Sequence, residues 1–299
     1  MYDEFVENGI HHMDPFLDLK KCKKLVDDVY KNRSAETIFI DKNEYSGKIG
    51  LKNANPQSGV NNFAEEFDLS FIEEHPEFKK TMTTILGSNY SIMLKKFIFA
   101  IPTTWLPDWI KQQIKGAPVA NLAAFIKPKL RNITYFHGID FHQDIIDWKS
   151  RVADFITLYV YLEDVDMGMS PLVVIPRSHI YGATIFPHKI SILSSKQLEY
   201  TDDSGNSDVF NYEFTLGKTG SVNFWSAMTL HGTQPTKTIT HKPRISLRYL
   251  IKRDPTQNKV VLDEFIKTIR GSLSLNETRN HLDKNGKAIK YGNTINKIN

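Results

Sequence analysis

The sequence predicts a mainly β protein with some α structure: a double-sheet jelly roll with N-terminal helices packed on one of its sheets. Three observations carry this. From residue 133 to 250, short runs rich in Val, Ile, Leu, Phe and Tyr are cut at close intervals by Gly, Pro, Ser, Asn and Asp, the strand-and-turn pattern of a two-sheet β fold. Ahead of that region, apolar residues recur at helical spacing in two stretches. With 299 residues, 40% of them apolar, the chain is long enough for one sizeable core. We expect one domain over 1–254, with the jelly roll at about 85–251, followed by a helix and polar tail over 255–299.

The elements follow in order. Asp14-Pro15 has the form of an N-cap and a first-turn proline, and Phe16, Leu19, Leu25, Val26 and Val29 then share one helical face, which predicts a helix over 15–31. Residues 43–62, rich in Asn, Gly and Ser, read as loop. A second helix is expected over 76–86, stopped by Gly87, and a strand over 90–100. Residues 103–132 look inserted. Trp105, Leu106, Trp109, Ile110 and Ile114 suggest a short helix there, either packed on the barrel or serving as a lid that excludes water. The polar stretch 189–211 reads as a surface excursion, 260–269 as a modest helix, and the Asn-, Lys- and Gly-rich end from 271 as a loose tail.

Composition excludes several classes of function. The single cysteine, Cys22, allows no disulfide within the chain and fits a reducing, cytoplasmic setting. The first residues are acidic and lack the apolar segment of a signal peptide, and no apolar run reaches the length of a membrane helix. The net charge of +4 belongs to the tail, where residues 252–299 hold ten Lys/Arg against five Asp/Glu. No basic stripe interleaved with aromatics appears, so nucleic acid is not an expected partner; a small molecule is.

The chemistry centres on His142-Gln143-Asp144. Side chains two apart on an extended strand face the same way, so His142 and Asp144 can grip one ion from one side. A second histidine brought in by the fold would complete two nitrogens and one oxygen on one face of a metal, the triad of non-haem Fe(II) oxygenases. His231, before Gly232, is the candidate; His137, His179, His188 and His241 are its rivals.

The series around this motif adds to it. After it come the strand-like run from Asp154 through Tyr159 to Leu162, then Ser170-Pro171 leading to Pro176-Arg177-Ser178-His179. Gly220-Ser221-Val222-Asn223-Phe224-Trp225, Leu230-His231-Gly232-Thr233 and Pro243-Arg244-Ile245-Ser246-Leu247-Arg248-Tyr249 follow. In that order the pieces resemble the phytanoyl-CoA dioxygenase family of Fe(II)/2-oxoglutarate-dependent oxygenases, most clearly over 133–251. The resemblance implies a cupin-like double-stranded β-helix, Fe(II) held by His142, Asp144 and His231, 2-oxoglutarate as co-substrate, O2, and hydroxylation of a small molecule with release of succinate and carbon dioxide. It points to Arg244 for the far carboxylate of 2-oxoglutarate, a role that suits a planar two-pronged cation. Arg248, on the same strand face, is the rival. Thr233 and Ser246 add hydroxyls, Tyr159 a co-substrate-facing aromatic, and either Lys96 or Lys127 a further cation, with Lys96 preferred. Trp148 and Trp225 are candidates for the substrate wall. Ser170-Pro171 and Arg177 depart from the family pattern, so no substrate is carried over. Two other classes stay open: an inactive jelly-roll binding module, and a single-metal cupin-type hydrolase or isomerase.

Overall fold

The computed structural model describes residues 2–45, 63–117, 119–235, 242–279 and 294–298. In chain order its strands are β1 (Ile10–Met13), β2 (Ser91–Ala100), β3 (Val119–Asn121), β4 (Thr134–His142), β5 (Phe155–Tyr161), β6 (Leu172–Val174), β7 (Lys189–Ile192), β8 (Gln197–Thr201), β9 (Ser207–Asn211), β10 (Glu213–Thr215), β11 (Val222–Ser226), β12 (His231–Thr233) and β13 (Arg244–Lys252). Nine are hydrogen-bonded in the order β1-β11-β5-β13-β2-β4-β12-β6-β10, with β3 added on β4. This is the nearly closed jelly roll that the strand pattern predicts.

Strand β4 turns the corner between the two halves of the barrel. Its first residues pair in parallel with β2, from Ile98↔Thr134 to Ala100↔Phe136. Its last residue pairs antiparallel with β12, at His231↔His142. Gly138 lies between, at φ +135°, where the strand changes partner and an added Cβ would sit 3.0 Å from Pro235. An L side chain is strained in that conformation, so glycine suits the bend.

Alternation on β5 and β13 separates the two chemistries of the fold. Ile156, Leu158 and Val160 share a buried cluster with Ile245, Leu247, Tyr249 and Ile251. The helices cover that face: Phe5, Leu25, Val26, Val29, Phe78, Met82, Ile85, Leu262 and Phe265 belong to the same cluster. The period of two then sends Thr157, Tyr159 and Tyr161, with Arg244, Ser246 and Arg248, into the barrel. The polar stripe on otherwise apolar strands is therefore interior.

Local boundaries show where sequence signals compete. The helix Leu19–Tyr30 begins later than the expected 15, because Asp18 rather than Asp14 caps it, accepting from the backbone of Lys20 at 2.8 Å and Lys21 at 2.9 Å. The preceding residues are held extended, with Phe16 N–H donating to Gly220. The helix Pro76–Leu86 has the expected bounds, with Gly87 at φ +97° as its stop. In the inserted region Trp105 packs on Phe99 and Trp109 on Phe125 and Tyr45, so the helix Asp108–Ile114 belongs to the main core.

Two stretches are more ordered than expected. The excursion at 189–211 forms an antiparallel sheet, β7-β8-β9. Its Leu198, Tyr200 and Phe210 pack with Phe141 and Ile175 in a second core. Near the C-terminus Ile295 and Ile298 are buried in that same core, so the loose tail expected from 271 does not describe 294–298. Most of the loop expected over 43–62, residues 280–293 of the tail and His241 lie outside the described residues. Among the described residues no helix is long and apolar enough to cross a membrane.

Candidate metal centre

His142 ends β4, His231 opens β12, and the two are register partners. Asp144 begins the short turn Asp144–Asp147 just past β4. One ligand atom from each of the three lies within 4.8 Å of the others. The imidazole rings stand 4.3 Å apart, and His231 Nε2 is 3.6 Å from Asp144 Oδ2.

Each ring is oriented by its own backbone. His142 Nδ1 meets the carbonyl of Asp140 at 3.0 Å, and His231 Nδ1 that of Thr229 at 2.9 Å. A carbonyl only accepts, so Nδ1 carries the proton and Nε2 keeps its lone pair for a metal. Burial, then the neighbouring His231, pushes His142 down to about 3, and burial lowers His231 as well. Both rings are therefore neutral and able to coordinate at physiological pH.

Asp144 is 2% exposed, and burial alone would raise its pKa. Arg248, then His231, His142 and Thr157, more than offset that and hold the carboxyl well below the usual carboxylate range. Arg248 donates to Oδ1, while Thr157 Oγ and Trp225 Nε1, the latter at 3.1 Å, donate to Oδ2. Gln143, fully buried between the two ligands, ties the turn down from the other side. Its amide donates to the carbonyls of Gly182 at 2.8 Å and Met228 at 2.7 Å, and its oxygen accepts from Thr184 N–H at 2.9 Å. Two neutral imidazoles and one oriented carboxylate thus converge from a strand, the turn after it and the facing strand, a donor set that fits a divalent ion with open coordination positions.

Lys96, Tyr159, Thr233 and Arg248 line the same cavity as the triad. Lys127 does not; it opens a turn, its N–H bonded to Ile38. Arg244 and Ser246, on the same inward stripe as Arg248, do not line the cavity. Arg244, 2% exposed, donates to the Met169 carbonyl at 3.1 Å and to Ser246 Oγ, and no carboxylate pairs with it among the described residues. Arg248 is taken up by Asp144. The inserted region contributes Val119 and Asn121 to the cavity wall, while its tryptophans stay in the core.

The remaining histidines play other parts. His137 bonds the Ile101 carbonyl at 2.8 Å. His179 is buried against Phe265, and neither of its nitrogens has a hydrogen-bond partner among the described residues. His188 Nδ1 meets Thr184 Oγ at 2.9 Å. Trp148 packs on Phe155 and Arg151 rather than lining the cavity. Thr157, Trp225 and Gln143 were not singled out for these contacts by sequence. The parity of Thr157 with Tyr159 placed it on the metal side, and Trp225 is its register partner.

No family model matches the chain, and no curated protein matches it. Solved structures do. The epimerase SnoN, in complex with Fe3+, alpha ketoglutarate and nogalamycin RO, superposes with a TM-score of 0.51 at 13% identity over 84% of this chain and 82% of its own. The non-heme monooxygenase ThoJ superposes with a TM-score of 0.51 at 13% identity over 86% and 80%. EvdO2 from Micromonospora carbonacea var. aurantiaca, complexed with 2-oxoglutarate, gives 0.51 at 12% over 86% and 91%. At such identities the likeness is one of fold, and it extends over most of each chain.

Proposed function

We propose that this protein is an Fe(II)- and 2-oxoglutarate-dependent dioxygenase that hydroxylates a small-molecule metabolite. The observation that carries the reading is the convergence of His142, Asp144 and His231, each oriented by a second contact, with a buried arginine on the same inward stripe as Arg248 that has no carboxylate partner among the described residues. Neighbours of the same fold hold Fe3+ with alpha ketoglutarate, or 2-oxoglutarate, which is consistent with it.

His142, Asp144 and His231 would hold the iron. Arg244 would take the far carboxylate of 2-oxoglutarate, since a buried guanidinium whose partners among the described residues are all neutral is costly until an anion joins it. Thr233 and Ser246 offer hydroxyls to that carboxylate, and Tyr159, the register partner of Arg248, is influenced by both Arg248 and Arg244. Bound there, iron and co-substrate supply dioxygen activation, coupled to decarboxylation of 2-oxoglutarate to succinate and carbon dioxide. Phe136, Ile139, Ile146 and Leu172 wall the cavity with apolar surface that keeps water from the reacting centre. The single buried thiol, Cys22, suits a reducing, cytoplasmic setting.

The test is oxygen uptake and succinate formation by purified protein given Fe(II) and 2-oxoglutarate, with and without candidate substrates. Succinate formed only when both are present supports the reading. Stoichiometric metal binding without any 2-oxoglutarate turnover or affinity would favour the hydrolase or isomerase class, and no metal binding the inactive module.

A further inference from the structure

Among the described residues, the cavity carries one more cation than its anions account for. Arg248 is paired with Asp144, and Arg279, at the mouth, with the exposed Asp147. Lys96 remains. It is 7% exposed, it lines the cavity, and it has neither a hydrogen bond nor an ion pair among the described residues. Its neighbour across the ladder is Arg248 itself, so two cations sit side by side on adjacent strands. Burial, then Arg248, pulls the Lys96 ammonium down to about 7, while Asp147 and Asp144 act in its favour. A buried lysine held in this way gains from an anion placed beside it.

Resting on the oxygenase reading above, we infer that Lys96 receives an anionic group of the primary substrate, a carboxylate or a phosphate, so that the substrate is a small acid with an apolar body. The resemblance set Lys96 toward 2-oxoglutarate, but the far carboxylate of that co-substrate is directed elsewhere. Arg244 pairs with Ala100, four residues along β13 and β2 from the Arg248↔Lys96 pair, which separates the two positions by roughly 13 Å at the rise of a strand. The guanidinium of Arg244 is fixed at Met169 and Ser246, whereas the carboxylates acting on Lys96 are Asp147 at the mouth and Asp144 at the metal. A far carboxylate directed at Arg244 therefore leaves Lys96, beside the Arg248–Asp144 pair, open to another anion. There Phe136, Ile139, Ile146 and Val119 offer apolar contact to the rest of a substrate, and Asn121 a polar one. Lysine suits this place because its compact charge accepts a carboxylate or a phosphate from several directions.

The experiment has two arms, both on the full chain loaded with Fe(II) under anaerobic conditions. In the first, 2-oxoglutarate affinity is measured for wild type, Lys96→Met and Arg244→Met. Lys96→Met is expected to stay within about twofold of wild type while Arg244→Met weakens binding roughly 100-fold. Loss of affinity in Lys96→Met equal to that in Arg244→Met would assign Lys96 to the co-substrate and overturn the inference, with the oxygenase reading intact. In the second arm the thermal midpoint is followed with hexanoate, hexyl phosphate and the neutral control hexanamide. An acid is expected to raise the midpoint of wild type and of Lys96→Arg, but not of Lys96→Met, with hexanamide inactive throughout. Equal effects of acid and amide, no response of wild type to either acid, or an unchanged response in Lys96→Met would each overturn it. If wild type shows no affinity for 2-oxoglutarate, the reading of function fails, and the second arm still decides Lys96 on protein carrying metal alone.

Discussion

Arg248 of β13 donates to Oδ1 of Asp144, so the carboxylate placed to hold a metal is balanced by a guanidinium inside the protein itself. Removing one member of a buried pair leaves the other charge uncompensated, at about 3–5 kcal/mol. Arg248→Met should therefore lose about that much stability in metal-free protein. A bound divalent ion supplies the missing positive charge, so part of the loss should return when metal is added. Urea midpoints with and without metal read this directly. An equal loss in both states would show that Arg248 acts through packing alone.

The triad and its supports should separate in degree. His142→Ala, Asp144→Ala or His231→Ala leaves two protein ligands and should abolish metal-dependent succinate formation. Thr157→Val and Trp225→Phe remove donors to Asp144 Oδ2 and keep all three ligands. They should lower metal affinity by about 10–100-fold, as partners of metal ligands commonly do. Competition against a chelator of known affinity measures both sets. Full affinity in Thr157→Val together with Trp225→Phe would mean that Asp144 is oriented by Arg248 alone.

Arg244→Met tests which arginine meets the co-substrate. The apparent requirement for 2-oxoglutarate should rise roughly 100-fold, with metal affinity little changed. If Arg248→Met shows that pattern and Arg244→Met does not, the far carboxylate lies at the cavity-lining arginine.

Much of this site was legible from spacing. The β13 stripe Arg244, Ser246, Arg248 follows strand parity, so period two put these groups inside. The same rule joined His142 with Asp144, although β4 ends at His142 and Asp144 reaches the site from the turn after it. It did not say which cation pairs with which acid. The Arg248–Asp144 contact joins residues 104 apart and depends on how far the barrel closes. Gln143 illustrates the same gap. It lies between the two ligands where β4 gives way to a turn, and its partners Gly182, Thr184 and Met228 come from loops that only the fold brings near. The helix cap moved from Asp14 to Asp18 because Phe16 bonds to the Gly220 turn, a tertiary contact that local propensity does not contain.

Two histidines away from the triad set an acid limit on stability. Burial, followed by Arg177, pushes His179 down to about 3, and burial, followed by His142 and His231, does the same to His188. Both folded pKa values lie below the unfolded value near 6.5, so the unfolded chain binds protons that the folded one does not. Stability is then full above about pH 6.5 and falls as pH drops toward 3, by up to about 1.4 kcal/mol per pH unit for each ring. His179→Leu removes one of these rings at a site where neither nitrogen has a partner among the described residues. Its stability should fall less steeply between pH 6.5 and 4 than that of wild type, as urea unfolding across this range would show. Identical slopes would mean that His179 is already charged in the folded state.

The last residues described should matter to the metal although they never touch it. Asp140, 4% exposed, accepts from the backbone of Thr294 at 2.9 Å and Ile295 at 2.8 Å, and burial raises its pKa despite them. The carbonyl of the same residue orients His142. On β12 the Ile295 side chain abuts Gly232, next to His231, and Gln234 Nε2 donates to the Ile298 carbonyl at 2.8 Å. The segment therefore clips β4 and β12 together from outside, beside the His231↔His142 pair. Ending the chain at 293 removes two of the three backbone donors to a buried carboxyl and uncovers the side of the second core that Ile295 and Ile298 close. Asp140→Asn keeps the shape but weakens the acceptor. We expect the truncation to lower metal affinity by 10-fold or more, about the scale of losing a ligand's supporting contact, and Asp140→Asn to lower it less. Adding back a peptide of residues 294–299 at high concentration should restore part of that affinity. Unchanged metal binding in the truncated chain would limit the clip to stability and leave the two histidines to be placed by the sheet alone.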